Sequence, residues 1–479
     1  MAHTSHSPPS LVVVANRLPF RRAAQNRPDP DSDQPPDTVQ WLPSPGGLVS
    51  ALAPSLEGYS VSWVGWAGDT DNPQISATVD GTRLAIVPLA AEDKRLHYDG
   101  MSNGTLWPLF HDKVAPVQFH RSWFEGYQKV NQRFADRTAE LAEPNSAVWI
   151  HDYQLMLVPQ MLRQLRPDLR IGYFLHIPFP PKELFAQLPW RDALVSGVLG
   201  SDLVGFQTRD SVANFVRVAV DHDVATRSSA TTLCIDERTV TLKPFPIGID
   251  YEKYDQAARS EQVDRRAKDL RSRLGNPHTV LLGVDRLDYT KGIDVRLRAF
   301  HELLIDGRLH PSQVTMVQVA EPSRDDVDAY VSLRNMVEQL VGEINGDFSR
   351  VGSPVVHYLH QTHSFEELLG LYRTADVMLV TPFSDGMNLV SKEYVATRYD
   401  NTGTLVLSEF AGAAKQLKSA VLVNPYNIRG VKDAIERAIN LQPQDAVARM
   451  KKLRQSIKRN DGPSWARGFL TELNRPLAS

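Results

Sequence analysis

The chain has 479 residues, with 53 basic against 56 acidic side chains and a formal net charge of −3, a length that outgrows one hydrophobic core and predicts two domains. With no long basic block it carries no electrostatic footprint for nucleic acid or an anionic membrane, and no apolar run reaches the roughly 20 residues of a membrane helix. The single cysteine, Cys234, excludes an intrachain disulfide or a cysteine-based zinc site and reads as a buried small residue in a reducing cytoplasm.

The opening MAHTSHSPPS lacks the basic and apolar regions of a secretory signal, so a cytoplasmic protein with a flexible segment at 1–10 is expected. Residues 24–38 (AQNRPDPDSDQPPDT) have the polar, Pro-rich composition of a surface loop. Around that loop run short β-rich segments: 11–16, 61–68, 83–89, 147–153, 170–178, 202–208 and 240–248. Helical patterns separate several of them, at 121–141, 153–165 and 182–199. The pattern restarts at 279–288 and continues at 314–322, 354–359, 376–382, 404–410 and 420–425. Alternation of this kind means mostly parallel sheets covered by helices.

The break falls near 250, where FPIGIDYEKYDQ ends a strand in Pro and Gly before a polar helical stretch at 258–274. The expected fold class is therefore α/β, as two facing Rossmann-like doubly wound domains over 11–250 and 251–459, with residues 460–479 as a C-terminal helix returning to the first domain. Ligands in such sheets bind at the carboxyl ends of the strands.

Strand ends are where the polar residues gather. Asn16 and Arg17 close the first strand, and Gly46-Gly47 precede a helical pattern, where amides can approach a phosphate or simply form a turn. His151-Asp152-Tyr153 and His176 end two successive strands. Asp152 can accept hydrogen bonds from a sugar hydroxyl and His176 can donate one to a substrate oxygen, although either can equally cap a neighbouring helix. Arg286 and Lys291 stand at a strand–helix junction, suited to a diphosphate. The bland alternative is a solvated salt bridge with Asp285, Asp288 or Asp294.

The fullest local pattern is TPFSDGMNLVSKE, 381–393. A helix starting at Gly386 would present free N–H groups and a positive dipole end to a phosphate. Glu393, two turns on, would share that face and receive ribose hydroxyls, with Asp385 meeting the sugar. The alternative is an Asp385 N-cap with a surface glutamate. His357, His360 and His363 resemble a metal cluster, but residues 357 and 360 face opposite ways on a strand. Asp69-Thr70-Asp71 and Asp31-Ser32-Asp33 read as surface turns, so no metal site is expected.

NRLPF, SPGGL, LWPLFH, IHDY, FLHIPFP, GFQT, PIGID, VDRLDYTKG, EPSRDDV, VTPFSDGMNLVSKEYVA, LSEFAGAA and VNPYN, in this order from Val12 to about Leu473, resemble the trehalose-6-phosphate synthases, retaining glycosyltransferases of family 20 with the GT-B architecture. The resemblance implies transfer of glucose from a nucleoside diphosphate glucose to glucose 6-phosphate by a cytoplasmic homo-oligomer, dimer or tetramer, without cofactor or metal. UDP-glucose is the first expectation for the donor, with ADP- or GDP-glucose as alternatives.

It further implies donor contacts from Gly46, Gly47, Arg286, Lys291, His363, Asp385, the Gly386-Met387-Asn388-Leu389 backbone, Val390 and Glu393. Acceptor contacts would come from Arg17, Tyr98, Asp152 and Arg324, and His176 would stand near the reacting centre. Catalysis would fall to Asp152, His176, Arg286, Lys291 and Asp385. Two departures from the family pattern, His363 in place of an aromatic near the base and a long 21–40 loop, bear on the choice of base. The family pattern puts no carboxylate nucleophile beneath the sugar, which implies a front-face mechanism.

Overall fold

The computed structural model describes residues 9–22, 41–44, 52, 56, 58–70, 74–113, 117–323 and 328–475. Gly46, Gly47, Arg324, Asp71 and the segments 1–8 and 24–38 lie outside these. Two compact units emerge: one runs up to Phe245 and resumes at Ala466, and the other is Pro246–Trp465. The second unit thus opens a few residues before 251. The chain rejoins the first unit within helix Gly462–Leu473 rather than at 460.

The first unit is built on a ten-stranded sheet. Its seven parallel strands, in spatial order, are Arg238–Pro244, Leu203–Phe206, Arg170–Leu175, Ala147–His151, Ser10–Arg17, Ser60–Trp66 and Thr82–Ile86. Strands covered on both faces require continuous apolar runs, and Leu11 to Val14 are accordingly buried throughout. Chain order reverses between Ser10–Arg17 and Ala147–His151, which register Val14 against Ile150. A crevice opens at such a reversal, at the carboxyl ends of the two strands. Antiparallel strands close both edges, and Cys234 lies on one of them, half-buried rather than in the core.

Helix Gly462–Leu473 contributes Phe469 to this unit. The Phe469 ring stacks on Trp149 at 4.5 Å between centroids and 7° between planes. Room for it comes from Gly172 and Gly205 on adjacent strands, where a Cβ would meet the same ring at 2.7 and 2.8 Å. Two glycines that would weaken isolated strands are here the seat of an aromatic side chain.

The second unit has six parallel strands: Val356–Leu359, Val314–Glu321, Thr279–Arg286, Val377–Val380, Thr404–Ser408 and Val421–Val423. Numbered within the unit the order is 3-2-1-4-5-6, and its reversal lies between Thr279–Arg286 and Val377–Val380.

Prolines divide two of the expected helices. Residues 153–165 form a 3₁₀ turn, Tyr153–Leu155, followed by helix Val158–Leu165, whose first turn holds Pro159 where no N–H is needed. Residues 182–199 form helices Lys182–Phe185 and Arg191–Val198, separated at Pro189. Lys94–Leu106 winds as a π-helix, a rare form associated with functional sites. Among the described residues no helix is long and apolar enough to cross a membrane.

Candidate active site

In the second unit, the loops leaving the two strands at the reversal are joined to each other. Phe383 N donates to the Thr290 carbonyl at 2.8 Å, and Thr381 Oγ1 donates to the Gly292 carbonyl at 3.1 Å. Gly292 has φ +60° and would set a Cβ 2.2 Å from the Thr381 carbonyl oxygen, so only glycine fits this junction. From there helix Ile293–Ile305 begins.

Arg286 ends its strand exposed. Lys291, largely buried, donates from Nζ to Asp385 Oδ2 at 2.7 Å. The partner of Lys291 is therefore none of the three nearby aspartates expected from sequence. Asp285 is buried against Arg296, Asp288 accepts from the amide and hydroxyl of Thr290, both at 2.8 Å, and Asp294 faces Arg298 at 4.0 Å. Burial pushes the Asp285 carboxyl up to about 6 despite its guanidinium partner.

The expected helix start at Gly386 is corrected. Asn388 is the N-cap, its Oδ1 accepting from Ser391 N at 2.9 Å, and the helix is Leu389–Thr397. Gly386 and Met387 belong to the preceding loop, whose carbonyls serve another segment: Gly412 N donates to the Asp385 carbonyl at 3.0 Å and Ala413 N to that of Met387 at 2.8 Å. Asp385 is thus no cap. Its carboxylate instead accepts from Lys291, from Asn388 Nδ2 at 3.2 Å and from Met387 N at 3.4 Å. Leu389 and Val390 become the first two helical residues, whose amides have no partner within the helix.

Glu393, one turn into the helix, accepts from the Tyr372 hydroxyl at 2.9 Å and from Tyr254, and burial raises its carboxyl above the ordinary range. The neighbouring Lys392, which the sequence did not single out, is fully buried and donates to the Ile247 carbonyl at 2.5 Å. Burial alone lowers its ammonium to about 7. His363 lies half-buried before helix Phe365–Thr374, its Nδ1 3.1 Å from the Gln361 carbonyl. His360 turns its Nδ1 to the Ala320 carbonyl at 2.9 Å.

In the first unit, Arg17 and Asp152 stand at the ends of the two strands at the reversal. The Arg17 guanidinium lies 4.6 Å from the Trp66 ring centroid, and Tyr98 meets the same indole edge-on at 6.1 Å. Arg17 and Tyr98 are thereby brought to one aromatic seat. Gly68 makes it possible: at φ +104°, its Cβ would stand 2.3 Å from Arg17 Nη2. Neither Trp66 nor Gly68 was legible as part of this cluster. Asp69, half of the D-x-D pattern, is paired with Arg22.

Asp152 has φ 75° and ψ 170°, a region otherwise kept by glycine that costs about 1–3 kcal/mol and collects at functional sites. Its amide donates to the Phe174 carbonyl at 2.8 Å, the Tyr173 hydroxyl donates to its carbonyl at 3.1 Å, and its Oδ1 accepts from His176 N at 3.2 Å. Hydrogen bonds on both sides of the residue hold the strained turn. His176 is half-buried, and desolvation lowers its imidazole to about 3.

The model for Glycosyltransferase family 20 matches residues 9–475. The trehalose-6-phosphate synthase of Mycolicibacterium gilvum (strain PYR-GCK) is 49% identical over 487 residues, covering 98% of this chain and 95% of its own. A solved structure described as trehalose-6-phosphate from E. coli bound with UDP-2-fluoro glucose is 34% identical with TM-score 0.88, over 98% of this chain and 99% of that one. The UDP-forming α,α-trehalose-phosphate synthase from Burkholderia xenovorans in complex with glucose-6-phosphate is 32% identical with TM-score 0.88, over 97% and 100%. The α/β architecture is that of these GT-B glycosyltransferases, and the chain belongs to glycosyltransferase family 20.

Proposed function

We propose that this chain transfers glucose with retention from a nucleoside diphosphate glucose, UDP-glucose first, to the anomeric hydroxyl of glucose 6-phosphate, releasing nucleoside diphosphate and trehalose 6-phosphate. The observation that carries this reading is the Lys291–Asp385 pair just ahead of helix Leu389–Thr397, with Arg286 at the end of the strand that leads to Lys291, at the chain reversal of one sheet. Positive groups there suit a diphosphate leaving group, and a carboxylate beside them suits sugar hydroxyls. The relatives' donor analogue and acceptor support the choice of substrates.

On this reading the acceptor oxygen attacks the glucose anomeric carbon on the face from which the diphosphate departs. As the bond from that carbon to the phosphate oxygen breaks, the same phosphate oxygen takes the proton of the attacking hydroxyl. Arg286, Lys291 and the helix amides hold the charge that develops. The reading assigns the acceptor phosphate to Arg17 and Tyr98, with Arg324, the donor diphosphate also to Gly46 and Gly47, and the ribose to Glu393. Both substrates carry phosphate charge, which suits a reaction in the cytoplasm, and an even-numbered homo-oligomer is the expected assembly.

The test is transfer from radiolabelled UDP-, ADP- and GDP-glucose to glucose 6-phosphate, with the product's anomeric configuration read by NMR. An α,α-linked phosphorylated disaccharide, formed fastest from UDP-glucose, is expected. Absence of acceptor-dependent transfer from all three donors overturns the reading.

A further inference from the structure

Strand Ala147–His151 ends in a fully buried histidine that none of the substrate assignments uses. The His151 ring lies 4.7 Å from that of Trp149, 6.5 Å from Phe174 and 5.3 Å from His176, centroid to centroid. Its Nδ1 is 3.1 Å from Nε2 of His176. Its own Nε2 is buried with no hydrogen-bond partner among the described residues.

Two imidazole nitrogens that share one hydrogen bond differ in kind: one carries the proton and the other offers a lone pair. If His151 held its proton on Nε2, an N–H would be buried among aromatic rings with no oxygen or nitrogen of the described residues to receive it. If it holds the proton on Nδ1, the atom left unsatisfied is a bare lone pair. Orphaned buried N–H groups are the rarer fault in folded proteins.

The geometry points to His151 as the positioning residue that sets the tautomer of His176: His151 donates from Nδ1, His176 accepts at Nε2, and the single proton of the His176 ring stands on Nδ1. Its Nε2 lone pair is then occupied, so neutral His176 is a hydrogen-bond donor to any ligand and cannot serve as a base. Burial keeps both rings neutral, His151 well below the ordinary imidazole range and His176 near 3. The backbone supports the same alignment, because Asp152, the residue after His151, accepts from the His176 amide.

The mechanistic consequence rests on the glucosyl-transfer reading of His176 as adjoining the reacting carbon. Within that reading His176 donates to an oxygen of the transferred glucose. The proton of the attacking hydroxyl has to leave on the diphosphate.

The tautomer is read directly by long-range ¹H–¹⁵N NMR of the full-length protein carrying ¹⁵N-histidine, with His176 assigned by loss of its signals in His176→Gln. Near pH 7 the His176 Nδ1 should show a protonated-nitrogen shift and Nε2 an unprotonated one. The reverse pattern overturns the proposal. In His151→Asn the side-chain amide replaces the Nδ1 donor, so the tautomer and most of the turnover should survive. His151→Phe removes the donor, and kcat should fall at least about tenfold with both KM values nearly unchanged.

Equal turnover in folded Asn and Phe variants also overturns it. If the Phe variant does not fold, the wild-type spectrum still decides. A protein with the expected spectrum but no glucosyl transfer would refute the reaction while leaving the tautomer in place.

Discussion

Arg286 and Lys291 occupy one junction but differ in what surrounds them. Arg286 is exposed, whereas Lys291 is ion-paired with Asp385 out of solvent. Arg286→Ala should lower kcat about 10²–10³-fold with Tm within a degree or two of wild type. Lys291→Ala should lower kcat comparably and also lower Tm, because it leaves Asp385 with a partly buried charge that has lost its cation, at a cost of about 1–3 kcal/mol. Parallel calorimetry and steady-state kinetics separate the two, and wild-type turnover in either variant removes that residue from the leaving-group role.

At the same scale, Gly68→Ala should displace the Arg17 guanidinium and strain a left-handed backbone. The expected result is a KM for glucose 6-phosphate raised about tenfold, with little change in donor KM, since one charge-assisted phosphate contact is worth about 1.5–3 kcal/mol. A changed donor KM with an unchanged acceptor KM contradicts the seating of Arg17.

The places where polar side chains gather were legible in the sequence because each ends a readable apolar run: LVVVAN before Arg17, AVWI before His151 and Asp152, VLLGVD before Arg286, VMLV before Asp385. What was not legible depends on contacts between distant segments. Lys291 and Asp385 are 94 positions apart, and no local spacing announces that one will pair with the other. The start of the helix was misplaced for a related reason. Gly386 has the sequence appearance of a helix opening, but the backbone around it pairs with Gly412 and Ala413, and Asn388 takes the cap.

Among elements, helix Leu389–Thr397 is tied to Ile247 through Lys392, whose folded pKa of about 7 lies below the ordinary lysine value of 10.5. Between those two values the unfolded chain holds a proton that the folded one has released, so this residue makes stability rise with pH across about 7 to 10. Lys392→Met removes that contribution. The Tm of wild type relative to the variant should therefore climb from pH 7 to 9, and a flat difference would refute the buried, partly neutral amine.

Helix Gly462–Leu473 offers a packing test. Phe469→Ala should cost about 3–5 kcal/mol by emptying the space over Gly172 and Gly205. Gly205→Ala should cost about 1–3 kcal/mol by overfilling it. Both are read from thermal or denaturant unfolding.

For the whole molecule, each unit's mostly parallel sheet has a chain reversal with its own crevice, and alternating runs made this much readable in advance. If the second unit holds the donor as proposed, it brings its own cations, so transfer should persist in excess chelator. On the proposed reading Arg286, Lys291 and the helix N-terminus take the place of a divalent ion at the diphosphate. Abolition by chelator, restored only by divalent metal, would overturn that account.

The split composition of the first unit has a consequence for how the protein is made. A ribosome delivers Pro246–Trp465 complete before it delivers Phe469. Until that ring arrives, Trp149 and the floor formed by Gly172 and Gly205 lack its cover. The nascent first unit therefore waits, with apolar surface open to chaperones and proteases, while the second unit is free to fold as a block. A message broken before the codon for residue 469 would yield a chain whose second unit is sound and whose first is marked for degradation, so cellular half-life should drop steeply with loss of the last eleven residues, none of which is a proposed substrate contact.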